Sequence, residues 1–175
     1  MKRLLGAIIA IFIGIPVVAI LVGLALPRDH VVIMRISFSS PPKRVWSLIS
    51  DFANTPSWRT DVTGVRIDNP SNPLRFTESS TQGDVPFEVV SQEPPKRQVV
   101  RVIDDEQPFG GTWMWELEPE GAGSRMTITE EGFIKNPLFR TMGVIFFRPT
   151  DTKRSYMEAL AKALGENAQP GEIKR

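Results

Sequence analysis

Cysteine is absent from this 175-residue chain. The chain therefore has no disulfide framework, no thiol nucleophile and no thiolate metal site. Histidine occurs once, at His30. A Ser-His-Asp triad or a histidine-bearing metal cluster would need that single imidazole, which stands at the end of an apolar run, and both are set aside. An excess of either charge is missing as well, with 21 Lys plus Arg against 20 Asp plus Glu. That balance lacks the basic footprint of a nucleic-acid-binding domain. No glycine-rich phosphate loop or dinucleotide fingerprint occurs, so no cofactor is expected.

What is present divides sharply. Residues 4 to 26 form a run of 23 without a charged or polar side chain, interrupted only by Gly6, Gly14, Pro16 and Gly23. Preceded by Lys2 and Arg3, it is long enough to cross a bilayer core of roughly 30 Å. A cleavable signal has a shorter apolar region, about 7–15 residues, so an uncleaved anchor is the expectation. The passable cleavage site would be Gly23-Leu24-Ala25. Lys2 and Arg3 keep the N-terminus cytoplasmic and place the remainder on the extracytoplasmic, periplasmic side. Gly6, Ala10 and Gly14 recur at four-residue spacing, a pattern that lets two spans approach and self-associate.

After residue 30 the composition is that of a globular domain, roughly 36% hydrophobic. His30 to Phe38 alternates as a strand, with Val32, Met34, Ile36 and Phe38 on one face. Ser39-Ser40-Pro41-Pro42 predicts a hydroxyl-capped helix carrying Val45, Leu48, Ile49 and Phe52 on one stripe. Asn54-Thr55-Pro56 repeats the signal for a very short second helix. Strands are predicted over 62–68, 74–80, 85–92, 97–104, 111–118 and 124–133, separated by turns such as Pro108-Phe109-Gly110. Asn136-Pro137 starts a C-terminal helix that Pro149 should break or kink. Its second portion, roughly 150–164, has Met157, Leu160 and Leu164 inward and Lys153, Arg154, Glu158 and Lys162 toward solvent. Residues 166–175 are polar and expected to fray.

These residues resemble a family. Ser40-Pro41-Pro42-Lys43-Arg44-Val45-Trp46, Ile49-Ser50-Asp51-Phe52 and Pro56-Ser57-Trp58 look like the opening of the START-like, or SRPBCC, superfamily. Gly110-Gly111-Thr112-Trp113, Thr129-Glu130-Glu131-Gly132 and Asn136-Pro137-Leu138-Phe139-Arg140 are similar to bacterial, polyketide cyclase/dehydrase-like members. The resemblance implies an α+β helix-grip fold: a curved seven-stranded antiparallel sheet around a long C-terminal helix, with two short helices after the first strand. One transmembrane helix would precede it. The expected organisation is an anchor and junction over 1–30, a ligand-binding domain over 31–165 and a flexible tail over 166–175. An elongated apolar cavity between sheet and helix is implied, but no particular reaction.

Trp58, Phe87, Val89, Trp113, Trp115, Met126, Ile128, Met142, Phe146, Tyr156 and Leu160 are the candidate cavity residues. Trp46 and Trp58 are read first as packing that locks the short helices, and Trp113 and Trp115 either as cavity wall or as closed core. Glu130 follows Met126 and Ile128 in alternation and is the candidate acid or base. Against it stands the plainer expectation that Glu130 and Glu131 reach water or pair with Arg140. Arg101 carries the same ambiguity. Asp104-Asp105-Glu106 reads as a solvated turn rather than a calcium site, and no metal site is expected. The leading reading is a membrane-anchored protein binding a hydrophobic small molecule or lipid. The alternatives are a cyclase/dehydratase-like enzyme, and a non-catalytic envelope interaction protein whose cavity is closed.

Overall fold

The computed structural model describes residues 2–81, 83–103, 107–146 and 149–173, with side chains described for all of these except 2–11, 13, 145, 146 and 149. A 24-residue helix, α1 (Lys2–Ala25), comes first, with Pro16 inside it. At 1.5 Å per residue it is about 36 Å long. Among the described residues no helix is long and apolar enough to cross a membrane. The run expected to span, 4–26, includes residues 4–11 and 13, whose side chains lie outside the described set.

Among the described residues, eight strands follow in one antiparallel sheet: β1 (Asp29–Phe38), β2 (Gly64–Asn69), β3 (Arg75–Ser80), β4 (Gly83–Glu93), β5 (Arg97–Val102), β6 (Phe109–Glu120), β7 (Gly123–Ile134) and β8 (Gly171–Glu172). Their order is β2-β3-β4-β5-β6-β7-β1-β8. Strands β2 to β7 make a meander because each connection is short enough to return the chain antiparallel. β1 then pairs with β7 over ten residues, from Asp29 opposite Phe133 to Phe38 opposite Ser124. The eighth strand corrects the expected seven. Gly171 and Glu172 pair with Arg35 and Met34, and Ile173 N donates to Ile33 O at 3.0 Å.

Three local expectations also change. Pro41, not a serine hydroxyl, caps α2 (Pro42–Ile49). The Ser39 and Ser40 amides instead donate to the Glu166 carboxylate, at 2.7 and 2.9 Å. The short second helix is a 3-10 turn over Phe52–Ser57; it starts at Phe52, after Asp51, and holds Pro56 inside it. Phe109, expected in a turn, begins β6. The C-terminal helix is divided as Pro149 requires, into α3 (Pro137–Phe146) and α4 (Pro149–Ala163). Asn136 starts α3, its side-chain oxygen accepting from Leu138 N at 2.8 Å.

Register explains the core. Leu117, Met126 and Ile36 stand opposite one another across β6, β7 and β1, as do Trp115, Ile128 and Met34. Alternation puts these on one face, where Met157 and Leu160 of α4, and Leu164 just past its end, cover them. The next row toward α3 is Trp113, Glu130 and Val32. On the opposite face Glu88 lies between Arg75 and Arg101. Both arginines hold its carboxylate below the usual range, the Arg75 hydrogen bond contributing most.

α1 rests on α3. Thr141 Oγ1 donates to Ala19 O at 2.6 Å, and Arg140 donates to Gly23 O and Leu26 O at 3.0 and 3.1 Å. The helices approach so closely at Gly23 that a Cβ there would lie 1.8 Å from Pro137 O.

Candidate functional site

Between the covered face of the sheet, the 3-10 turn, α3 and α4 lies a cavity of about 820 Å3. Aromatic rings make one wall. Phe52 stacks on Phe76 at 4.2 Å between centroids, Phe76 on Phe87 at 5.3 Å, and Phe87 meets Trp113 edge-on at 5.7 Å. Across the space the Tyr156 ring from α4 meets Trp58 at 5.3 Å and Trp115 at 6.0 Å. Phe139, Met142 and Gly143 of α3 line it as well.

Seven of the candidate cavity residues are brought together here: Trp58, Phe87, Trp113, Trp115, Ile128, Met142 and Tyr156. Met126 and Leu160 are each 0% exposed in the core beneath α4. Val89, although on the same strand face as Phe87, is closed off by Phe52, Phe76 and Val100. The Phe146 side chain and Asp104-Asp105-Glu106 lie outside the described residues.

The polar groups correct the sequence reading most. Glu130 neither reaches water nor pairs with Arg140: it is 6% exposed, in an ion pair with Lys153 and 3.5 Å from His30 Nε2. Arg140 is occupied by the backbone carbonyls of α1. Lys153, expected in solvent, is 5% exposed. Its signal was spacing: Lys153, Met157, Leu160 and Leu164 stand at i, i+4, i+7 and i+11, one helical stripe. His30 had a parallel signal, two residues before Val32 on the alternating face. Opposite it in register is Gly132, where a Cβ would come within 2.6 Å of His30 Nε2. Glycine there makes the room that the imidazole occupies.

Burial pushes Lys153 down to about 7. It also lowers His30, with the neighbouring Lys153 charge acting the same way and Asp29 opposing. A second polar group lines the same cavity. Arg59 binds Glu78 at 3.1 Å and Asp61 at 2.6 Å, and stands 5.4 Å from the centre of the Tyr156 ring. Burial raises Glu78 in spite of Arg59, and raises Tyr156. Trp58 Nε1 is buried and has no acceptor among the described residues. Arg101, by contrast, serves Glu88 on the outer face. Among the described residues no cluster of three or more His, Asp or Glu is placed to hold a metal ion.

Chemically this is an apolar space with two internal polar points, one of which combines an amine, a carboxylate and an imidazole. Such a set can orient a polar end of a ligand, or move a proton at it.

No curated protein matches the chain in sequence. Solved structures match in fold. A Mesorhizobium loti protein, MLL2253, shares 18% identity at a TM-score of 0.62, over 78% of this chain and 97% of its own. A START superfamily protein from Mycobacterium smegmatis shares 16% at 0.63, over 78% and 97%. The di-domain ARO/CYC StfQ, from the steffimycin biosynthetic pathway, shares 10% at 0.65, over 79% of this chain and 53% of its own. The sheet wrapped on a C-terminal helix is thus the START-like, helix-grip arrangement. The family model described as polyketide cyclase/dehydrase and lipid transport matches residues 30–165, which take in β1, the meander and α4, and the chain belongs to that family.

Proposed function

We propose that this protein binds a hydrophobic small molecule or lipid in the cavity between sheet and C-terminal helices, while α1 anchors it to a membrane. The observation that carries the binding reading is the cavity itself, about 820 Å3 and walled by Phe52, Phe76, Phe87, Trp113 and Trp115. That volume falls in the range of small-molecule sites, roughly 300–1,000 Å3. The family's description, which includes lipid transport, supports the same reading. The anchor rests on the 23-residue apolar run and its flanking Lys2 and Arg3, which orient the cavity domain to the extracytoplasmic side. Tethering raises the domain's effective concentration toward a membrane-dissolved ligand. Self-association through Gly6, Ala10 and Gly14 is compatible with this role.

The binding test is displacement of a neutral fluorescent apolar probe, Nile red, from the full-length chain in nonionic detergent. Saturable binding with one site per chain is expected. Fluorescence no greater than in empty micelles overturns the reading. For the anchor, the sedimenting membrane fraction should keep the chain through a carbonate wash; release by the wash contradicts it.

A second reading, an enzyme of the cyclase/dehydratase kind, draws on one observation: Glu130, Lys153 and His30 converge inside the cavity. It predicts turnover of a cavity-bound carbonyl compound that Glu130→Gln abolishes while the fold persists. The third reading, an interaction protein with a closed cavity, has the open cavity against it.

A further inference from the structure

Among the described residues the charged side chains lining the cavity are Arg59, Lys153, Glu78, Asp84 and Glu130, two cations and three carboxylates. Neither cation is available. Lys153 is in contact with Glu130, and Arg59 binds both Glu78 and Asp61. The Lys153–Glu130 pair is neutral whether the proton rests on nitrogen or on oxygen, and a neutral amine beside an ionised carboxylate would be negative. A ligand carboxylate or phosphate reaching Lys153 would have to displace Glu130, leaving an unpaired carboxylate in an apolar space. An ammonium head would meet carboxylates already satisfied by Lys153 and Arg59. Asp84, the remaining acid, is exposed at the rim, where water screens it.

What the cavity does offer is neutral hydrogen bonding. Lys153 donates, Glu130 accepts, His30 turns Nε2 toward Glu130 as a donor, and the buried Trp58 Nε1 donor has no acceptor among the described residues. A hydroxyl or carbonyl oxygen meets such groups without leaving a charge unpaired. Resting on the binding reading above, we infer that the cavity selects hydrophobic compounds whose polar end is an uncharged oxygen, a hydroxyl or carbonyl, and discriminates against equally long acids and amines.

Four probes of one chain length test this: 1-dodecanol, 2-dodecanone, dodecanoate and dodecylammonium. Each competes with Nile red on the full-length chain in nonionic micelles at pH 8, corrected for its partition into empty micelles. The alcohol and ketone are expected to displace the dye at concentrations at least tenfold below the acid and the amine. Glu130→Gln vacates the carboxylate's place beside Lys153, where an incoming dodecanoate can draw a proton onto the amine as Glu130 does, and should bring dodecanoate at least tenfold closer to dodecanol. Glu78→Gln combined with Asp61→Asn, which removes both partners of Arg59, makes the same test there and serves if Glu130→Gln fails to fold by circular dichroism. An acid or amine that competes as well as the alcohol on the native chain overturns the inference while the binding reading stands. So does an unchanged order in a folded Gln variant. Nile red bound no better than by empty micelles removes the binding reading, and the inference with it.

Discussion

Lys153 titrates near 10.5 in an unfolded chain but is held down to about 7 in the folded one, because folding strips water from its ammonium. Between those values the unfolded chain holds more protons, so this group makes stability rise as pH is raised from about 7 toward 10. Below about 7 both states carry the proton and the contribution stops changing. Above about 10 the raised Tyr156 phenol acts in the opposite sense, since the unfolded chain then ionises first. Thermal unfolding midpoints should therefore climb between pH 7 and 9.5, and Lys153→Met should flatten that climb. A native chain whose midpoint is level over the interval contradicts the assignment. Residue by residue, the two kinds of cavity candidate also separate. Leu160 is 0% exposed in packed core, so Leu160→Ala should cost about 2–5 kcal/mol and leave the affinity of the folded fraction unchanged. Trp113→Ala removes a cavity wall; probe affinity should fall at least tenfold with a smaller loss of stability. Reversed effects in paired denaturation and binding titrations would place Trp113 in the core.

At the scale of elements, α3 is a partition with the cavity on one side and α1 on the other. Gly143 faces the cavity, and a Cβ there lies 3.7 Å from Ile134 Cδ1, an ordinary contact. Gly143→Leu should raise helix stability by up to about 1 kcal/mol while filling ligand space. A higher melting temperature with weaker Nile red binding is expected; unchanged binding contradicts α3's place at the cavity wall. On its other side α3 meets Gly23, which admits no side chain without moving Pro137. The absence of native cysteine makes this contact easy to read, since Ala19→Cys with Thr141→Cys gives the chain its sole thiols. Cross-linking should be efficient in that background and should fail when Gly23→Val is added. Which elements form was readable because their signals are local: the Pro and Gly turns bound six of the strands to within a few residues, and Asn136 marked the start of α3. Gly171–Glu172 was not readable, because two residues have no period and their pairing is dictated by the free edge of β1. The cap of α2 failed for a related reason: the amides of Ser39 and Ser40 go to Glu166, more than 120 residues away.

Taken whole, the molecule joins an apolar N-terminal helix to a cavity domain through α3, and its near-zero net charge conceals internal pairing. Alternation placed Trp113 with Trp115, and Met126 with Ile128, on shared strand faces, but left open whether Trp113 and Trp115 formed a cavity wall or a closed core. The polar trio was not legible, because residue type argued against it. A lysine on a helix is ordinarily solvated, and only the arrival of β1, β7 and α4 at one point brings Lys153, Glu130 and His30 together. Without cysteine and with one histidine the chain has no thiol or multi-histidine site, yet that single histidine, expected at a membrane boundary, is inside the cavity. The most direct test of the account is native mass spectrometry of the full-length chain, extracted in mild nonionic detergent from the cells that make it. The account predicts a bound apolar compound at up to one per chain, absent from Gly143→Leu. Ligand-free spectra from both proteins, each folded by circular dichroism and each unable to take up Nile red, would contradict it.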